Sequence, residues 1–189
     1  MTAPSATKPR VATVWLDGCS GCHMSLLDLD ERLLILADKI DLVCSPIVDP
    51  KEFPTNVDLT LVEGAVSSHH DLEKALLIRE RSKFVISFGD CATTGNVPAM
   101  RNTYEVEELF RRAYIENADW PDTPEARKAR LPVLNVPALE KIAHPLHEII
   151  KVDLFVPGCP PPADAIWFVL TEFLEGRVPD VSKLTRFGK

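Results

Sequence analysis

The sequence lacks any apolar run approaching the roughly 18–20 residues that cross a bilayer, which excludes a transmembrane helix. It also lacks a basic cluster: 21 lysines and arginines face 28 aspartates and glutamates, a net charge of −7. Duplex binding draws on Lys and Arg that displace phosphate counterions, so nucleic acid is not an expected partner. The start, "MTAPSATKPR", has neither a hydrophobic signal core nor a twin-arginine pair, and the expectation is a cytoplasmic protein. There is no internal repeat and no low-complexity segment. "GDCATTG" lacks the Gly-Lys-Ser/Thr ending of a phosphate loop, which argues against a tightly bound flavin. Cysteine is scarce, with five in 189 residues. In a reducing compartment, scattered cysteines read as metal ligands or redox groups rather than structural disulfides, and the odd count leaves a bystander.

What is present suits one substantial core, since 46% of the residues are hydrophobic. "RVATVWL" (10–16), "DLVCSPIV" (41–48), "VDLTLVEG" (57–64) and "KFVISFGD" (83–90) read as strands. The leucine spacing over 22–40 predicts one amphipathic helix, and 69–82 predicts a second. Further on, "YEVEELFRRAYIEN" reads as a helix, 118–137 as a proline-punctuated insertion and "LEKIAHPLHEII" as a broken helix. "KVDLFVPGCPP" reads as strand and turn, and "ADAIWFVLTEFLEG" as a closing helix. Alternation of this kind predicts an α/β fold, a mostly parallel sheet with helices on both faces and its working loops at the strands' carboxyl ends. A flexible segment 1–9, one domain over 10–180 and a tail 181–189 are expected.

The cysteines fall on that plan. Cys19 and Cys22 follow the first strand in "VWLDGCSGCHMSLLDL", Cys91 follows "KFVISFGD", and Cys159 follows "DLFVP". All four thus lie past carboxyl ends of strands, on one rim. Four thiolates from three loops suit a cubane iron-sulfur cluster or a tetrahedral zinc. Zinc sites come as two close pairs, whereas one pair and two distant single ligands favour the cluster. The adjoining glycines let backbone N–H groups approach cluster sulfurs. A thioredoxin-like disulfide at a helix start also fits "WLDGCSGC" but leaves Cys91 and Cys159 unexplained.

Other groups carry less. Cys44, within a strand, reads as inert core. His144, His147 and Glu148 read as an exposed face interrupted by Pro145, and His69 and His70 as solvated or capping groups. His23 either modulates a redox centre or lies on the surface. Glu63, at the end of "TLVE" on the same rim, reads as a proton-transfer or partner-contact residue, or as a plain turn carboxylate.

"WLDGCSGCHMSLLDLDERL", "VEGAV", "GDCATTGNVPAMRN" and "VPGCPPPADAIW", in this order over about residues 10–178, resemble the small subunit of nickel-iron hydrogenases. The likeness is greatest to the short form of the cytoplasmic, bidirectional, NAD-reducing type. The resemblance implies a flavodoxin-like domain holding one proximal 4Fe-4S cluster on Cys19, Cys22, Cys91 and Cys159, with Cys44 matching no motif. It implies a nickel-iron centre in a separate large subunit, and FMN and further iron-sulfur clusters in diaphorase partner subunits. Relatives with a twin-arginine leader carry a C-terminal extension with cysteines for two more clusters, and neither feature is expected here. The cluster subunit of respiratory complex I shares the "PGCPP" turn but typically has adjacent cysteines in its first motif. It and the energy-converting hydrogenases stand as alternatives.

Overall fold

The computed structural model describes residues 8–117, 119, 123–125, 131–132 and 134–187. Half of the 118–137 insertion, residues 1–7 of the N-terminal segment and the last two residues of the tail fall outside that set. In chain order the elements are β1 (Arg10–Trp15), α1 (Gly21–Leu27), α2 (Arg32–Lys39), β2 (Asp41–Cys44), β3 (Val57–Glu63), β4 (Val66–Ser68), α3 (His69–Arg81) and β5 (Ser82–Phe88). Then come α4 (Asp90–Thr94), α5 (Asn96–Ala99), α6 (Val106–Arg111), β6 (Leu139–His144), α7 (Leu146–Ile149), β7 (Leu154–Val156) and α8 (Ala163–Leu174).

Five strands form one parallel sheet in the order β2-β1-β3-β5-β7. This is the flavodoxin-like order, and the expected α/β class holds. Side chains alternate between its faces. Val11, Leu59, Leu61, Ile86 and Phe88 pack with Leu26, Leu36, Ile166 and Val169 of α1, α2 and α8. Ala12, Val14, Val62 and Val85 pack with Ala75, Ile78, Ala92 and Leu146 of α3, α4 and α7. Strands buried on both faces read as near-continuous apolar runs, which is why the sequence exposes them.

Three expectations change. The helix read over 22–40 is two, α1 and α2, separated at residues 28–31, where Asp30 adopts φ +50°. Aspartate tolerates that left-handed geometry and favours helix ends over helix interiors. "LEKIAH" is strand β6 rather than helix, paired antiparallel with β4 in a two-stranded sheet. Pro145 holds the preceding His144 extended, and the helical half of the segment is confined to α7. The helix over 104–117 covers only Val106–Arg111 as α and continues over Arg112–Glu116 as a π turn.

Candidate metal centre

β1 and β3 are neighbours across the sheet and their exits are laced together. Leu16 donates its N–H to Glu63 O at 2.8 Å, and Asp17 and Ala65 exchange backbone hydrogen bonds at 3.0 and 2.7 Å. The lacing requires Gly64, at φ +93°, because a Cβ there would stand 2.7 Å from the carbonyl carbon of Leu16. From this anchor the chain passes Cys19, turns through Ser20 at φ 66° and enters α1. Cys19 is exposed, whereas Cys22, in the first turn of the helix, is buried.

Glu63 seats that helix. Its carboxylate accepts the backbone N–H of Cys22 at 3.3 Å and of His23 at 3.0 Å, two of the donors that a helix start leaves unpaired. The same carboxylate meets Nδ1 of the His23 ring, and His23 Nε2 lies 2.9 Å from Thr13 Oγ1, itself 2.7 Å from Ser45 Oγ. His23 is 0% exposed and Glu63 2%. The surface placement read for His23 is therefore overturned: its ring meets Trp15 and Phe88 edge-on and fills the core beneath the rim. Glu63 is no exposed turn carboxylate either.

The exits of β5 and β7 are joined in the same manner. Asp90 donates its N–H to Gly158 O at 2.9 Å, and the Asp90 carboxylate accepts the Gly158 N–H at 2.7 Å. Cys91 is the second residue of α4, and Cys159 follows Gly158. Ser25 Oγ, on α1, donates to Pro161 O at 2.5 Å and ties the first cysteine loop to the last. Gly89 faces Cys22 so closely that a Cβ would stand 2.2 Å from its sulfur, and one on Gly21 would stand 3.2 Å from the Cys19 sulfur. The four cysteines singled out by the sequence thus belong to three interlocked loops at one end of the sheet.

Their electrostatics point to a cation. Burial pushes the Cys22 thiol well up, with Glu63, Cys91, Cys19 and Cys159 adding to the effect. Cys91 is raised too, by burial first and then, against the pull of an Asn96 hydrogen bond, by Cys19 and Cys159. Cys22 and Cys91 each feel neighbouring thiols, so thiolates gathered here favour positive charge between them, and soft thiolate sets select zinc, copper(I) or iron-sulfur clusters. A raised Cys22 is also the opposite of the lowered thiol that disulfide exchange uses. Among the described residues, no three His, Cys, Asp or Glu side chains are set closely enough to grip a single ion.

The remaining candidates stay apart from this rim. Cys44 is buried at the end of β2 within the core on the α3 face, as its strand position implied. His144 pairs with Glu148 at 2.8 Å on the outer surface. His69 is solvated, between Glu73 and Glu140, while the capping of α3 falls to Ser68 and Asp71. Sequence reasoning missed Thr13 and Ser45, whose alternation marks nothing, and Asn96, whose Nδ2 lies beside two of the cysteines.

A flavodoxin-like sheet with interlocked cysteine loops at its carboxyl end is the architecture of a thiolate-lined metal or redox site. The chain belongs to the family described as NADH ubiquinone oxidoreductase, 20 Kd subunit, whose model matches residues 19–173. Within it the likeness is to hydrogenase small subunits. The chain is 42% identical over 182 residues to the NAD-reducing hydrogenase HoxS subunit delta of Cupriavidus necator, covering 95% of this chain and 86% of that one. It is 40% identical to a subunit of the F420-non-reducing hydrogenase of Methanocaldococcus jannaschii, covering 90% of this chain but 57% of that longer one. A crystal structure of NAD+-reducing nickel-iron hydrogenase in the H2-reduced state contains a chain that superposes with a TM-score of 0.84 at 36% identity, over 95% of this chain and 99% of that one. The protein is accordingly an oxidoreductase subunit of the nickel-iron hydrogenase small-subunit kind, as its four motifs implied. No helix among the described residues is long and apolar enough to cross a membrane.

Proposed function

We propose that this chain is the electron-transfer small subunit of a cytoplasmic, NAD-reducing nickel-iron hydrogenase, with Cys19, Cys22, Cys91 and Cys159 holding one 4Fe-4S cluster. The observation that carries this reading is the convergence of those four thiols, on loops after β1, β5 and β7, beside a seam where Gly89 leaves Cys22 no room for an intervening side chain. A mononuclear zinc needs all four sulfurs about 2.3 Å from one point. A cubane gives each cysteine its own iron, and one close pair joined by two single cysteines distant in sequence supports it.

When bound, the cluster would carry one electron at a time between the nickel-iron centre of a large subunit and diaphorase subunits bearing FMN and iron-sulfur clusters. The balanced reaction is H2 + NAD+ to NADH + H+. The chain's own residues hold and shield. Glu63, anchored to two backbone amides, fixes the α1 start so that Cys19 and Cys22 stay in register with the other loops. His23 fills the space beneath and keeps water from the buried side. With so little of Glu63 at the surface, we assign it this seating role ahead of contact with a partner. The kinship to the 20 Kd subunit family keeps a complex I-like partner set as the second reading, and the Cys-Ser-Gly-Cys spacing favours the first.

Anaerobic co-expression of the tagged chain with a hydrogenase large subunit and the diaphorase pair tests the assignment. Co-purification with H2-dependent NAD+ reduction supports it, while a soluble, iron-loaded chain that binds neither partner contradicts it.

A further inference from the structure

Asn96 stands between two of the cysteine loops. It follows Gly95, at φ +82°, and itself adopts φ +36°, an unfavourable region for a residue with a side chain, although asparagine tolerates it better than most. Its Nδ2 lies 3.5 Å from the sulfur of Cys159 and 3.9 Å from that of Cys91. These cysteines belong to different loops, after β7 and β5, so one primary amide with two N–H donors spans both. Its side chain is half-buried. Val97 adds a backbone N–H toward Cys91.

We propose that Asn96 is a positioning residue for the redox centre, donating N–H···S hydrogen bonds to the cysteinyl sulfurs of Cys91 and Cys159 and thereby raising the potential at which the centre accepts an electron. The inference rests on the four-cysteine cluster of the preceding section. Reduction adds negative charge to the cluster and its thiolates, and a donor to the thiolate stabilises the reduced form more than the oxidised one. The one-electron change is oxidised cluster plus one electron to reduced cluster, with the large subunit's site as donor and no proton or bond rearrangement on Asn96. The same amide restrains the two loops against each other.

Two substitutions separate this role from a structural one. Asn96→Gly removes the donors while suiting the left-handed backbone; Asn96→Asp keeps the shape and places a carboxylate against the sulfurs. The hetero-oligomer with its large subunit is purified anaerobically in all three forms. Iron and sulfide are counted, and the midpoint is read by electron paramagnetic resonance during redox titration. At a fixed ambient potential, Asn96→Gly is expected to lower the reduced-to-oxidised ratio at least threefold, about 28 mV at 59 mV per tenfold change, and Asn96→Asp to lower it further. Full iron content with the wild-type midpoint in either variant overturns the inference and leaves the cluster assignment intact. A wild-type protein without iron overturns the assignment itself and this inference with it. Should Asn96→Gly load poorly, Asn96→Asp carries the comparison, and Fe–S stretching frequencies by resonance Raman, unshifted from wild type, would overturn it as well.

Discussion

His23 and Glu63 form a closed pair under the first cysteine loop. The Glu63 carboxylate accepts the His23 backbone N–H at 3.0 Å and meets the same residue's ring at Nδ1, and neither side chain is more than 3% exposed. A buried acceptor that serves two backbone donors and a ring cannot be removed without orphaning all three. Glu63→Ala should therefore destabilise the protein by about 3 kcal/mol or more, from unsatisfied groups at about 1–3 kcal/mol each, and Glu63→Gln by less. Denaturant midpoints check this, and Glu63→Ala is expected to lose iron alongside stability.

Gly89 gives a sharper, local prediction. A methyl at this position collides with the Cys22 sulfur, and its φ of +86° disfavours any side chain. Gly89→Ala should leave circular dichroism nearly unchanged while iron content falls severalfold, because the displaced ligand lies on the rim rather than in the sheet.

Cys44 supplies the contrast. It is as buried as Cys22, at 7%, but lies in the core of the α3 face. Cys44→Ala should cost about 1 kcal/mol, a small core truncation, and leave iron content unaltered. Cys91→Ala and Cys159→Ala should each lose the intact cluster.

Acid stability follows from Asp153, which clamps Arg79 at 2.6 Å and accepts the Val85 N–H at 2.9 Å. Burial alone would raise its carboxyl, but the Arg79 and Val85 hydrogen bonds outweigh burial and hold it below the usual range. A carboxyl lowered in the folded state stabilises fully above its unfolded pKa, near 3.9, and loses that contribution as pH falls through the folded value. Urea midpoints should thus be flat in this respect from pH 7 to about 5 and fall below about pH 4. Asp153→Asn should be about 1–2 kcal/mol less stable at pH 7 and lose less on acidification.

Much of the arrangement was legible because the strands that carry it are short apolar runs punctuated by glycine or proline. "KFVISFGDC" and "DLFVPGC" announce a strand, its end and a cysteine together, and the topology brings the ends to one rim. What escaped depends on contacts between distant residues. The burial of His23 is set by Glu63, 40 positions away, and no local pattern distinguishes it from a surface histidine. β6 forms because β4 is there to pair with it, across some 70 residues, while its own spacing suits a helix equally well. The break after α1 hangs on two aspartates, and the apolar spacing carried straight through them.

The measurement that tests the central claim most directly is iron, acid-labile sulfide and zinc content of the anaerobically purified protein, with electron paramagnetic resonance after dithionite reduction. About four irons and four sulfides per chain, with the signal of a reduced cluster, is the predicted result. Zinc without iron, persisting after anaerobic reconstitution with iron and sulfide, would contradict it and make Cys19, Cys22, Cys91 and Cys159 the ligands of a structural site instead.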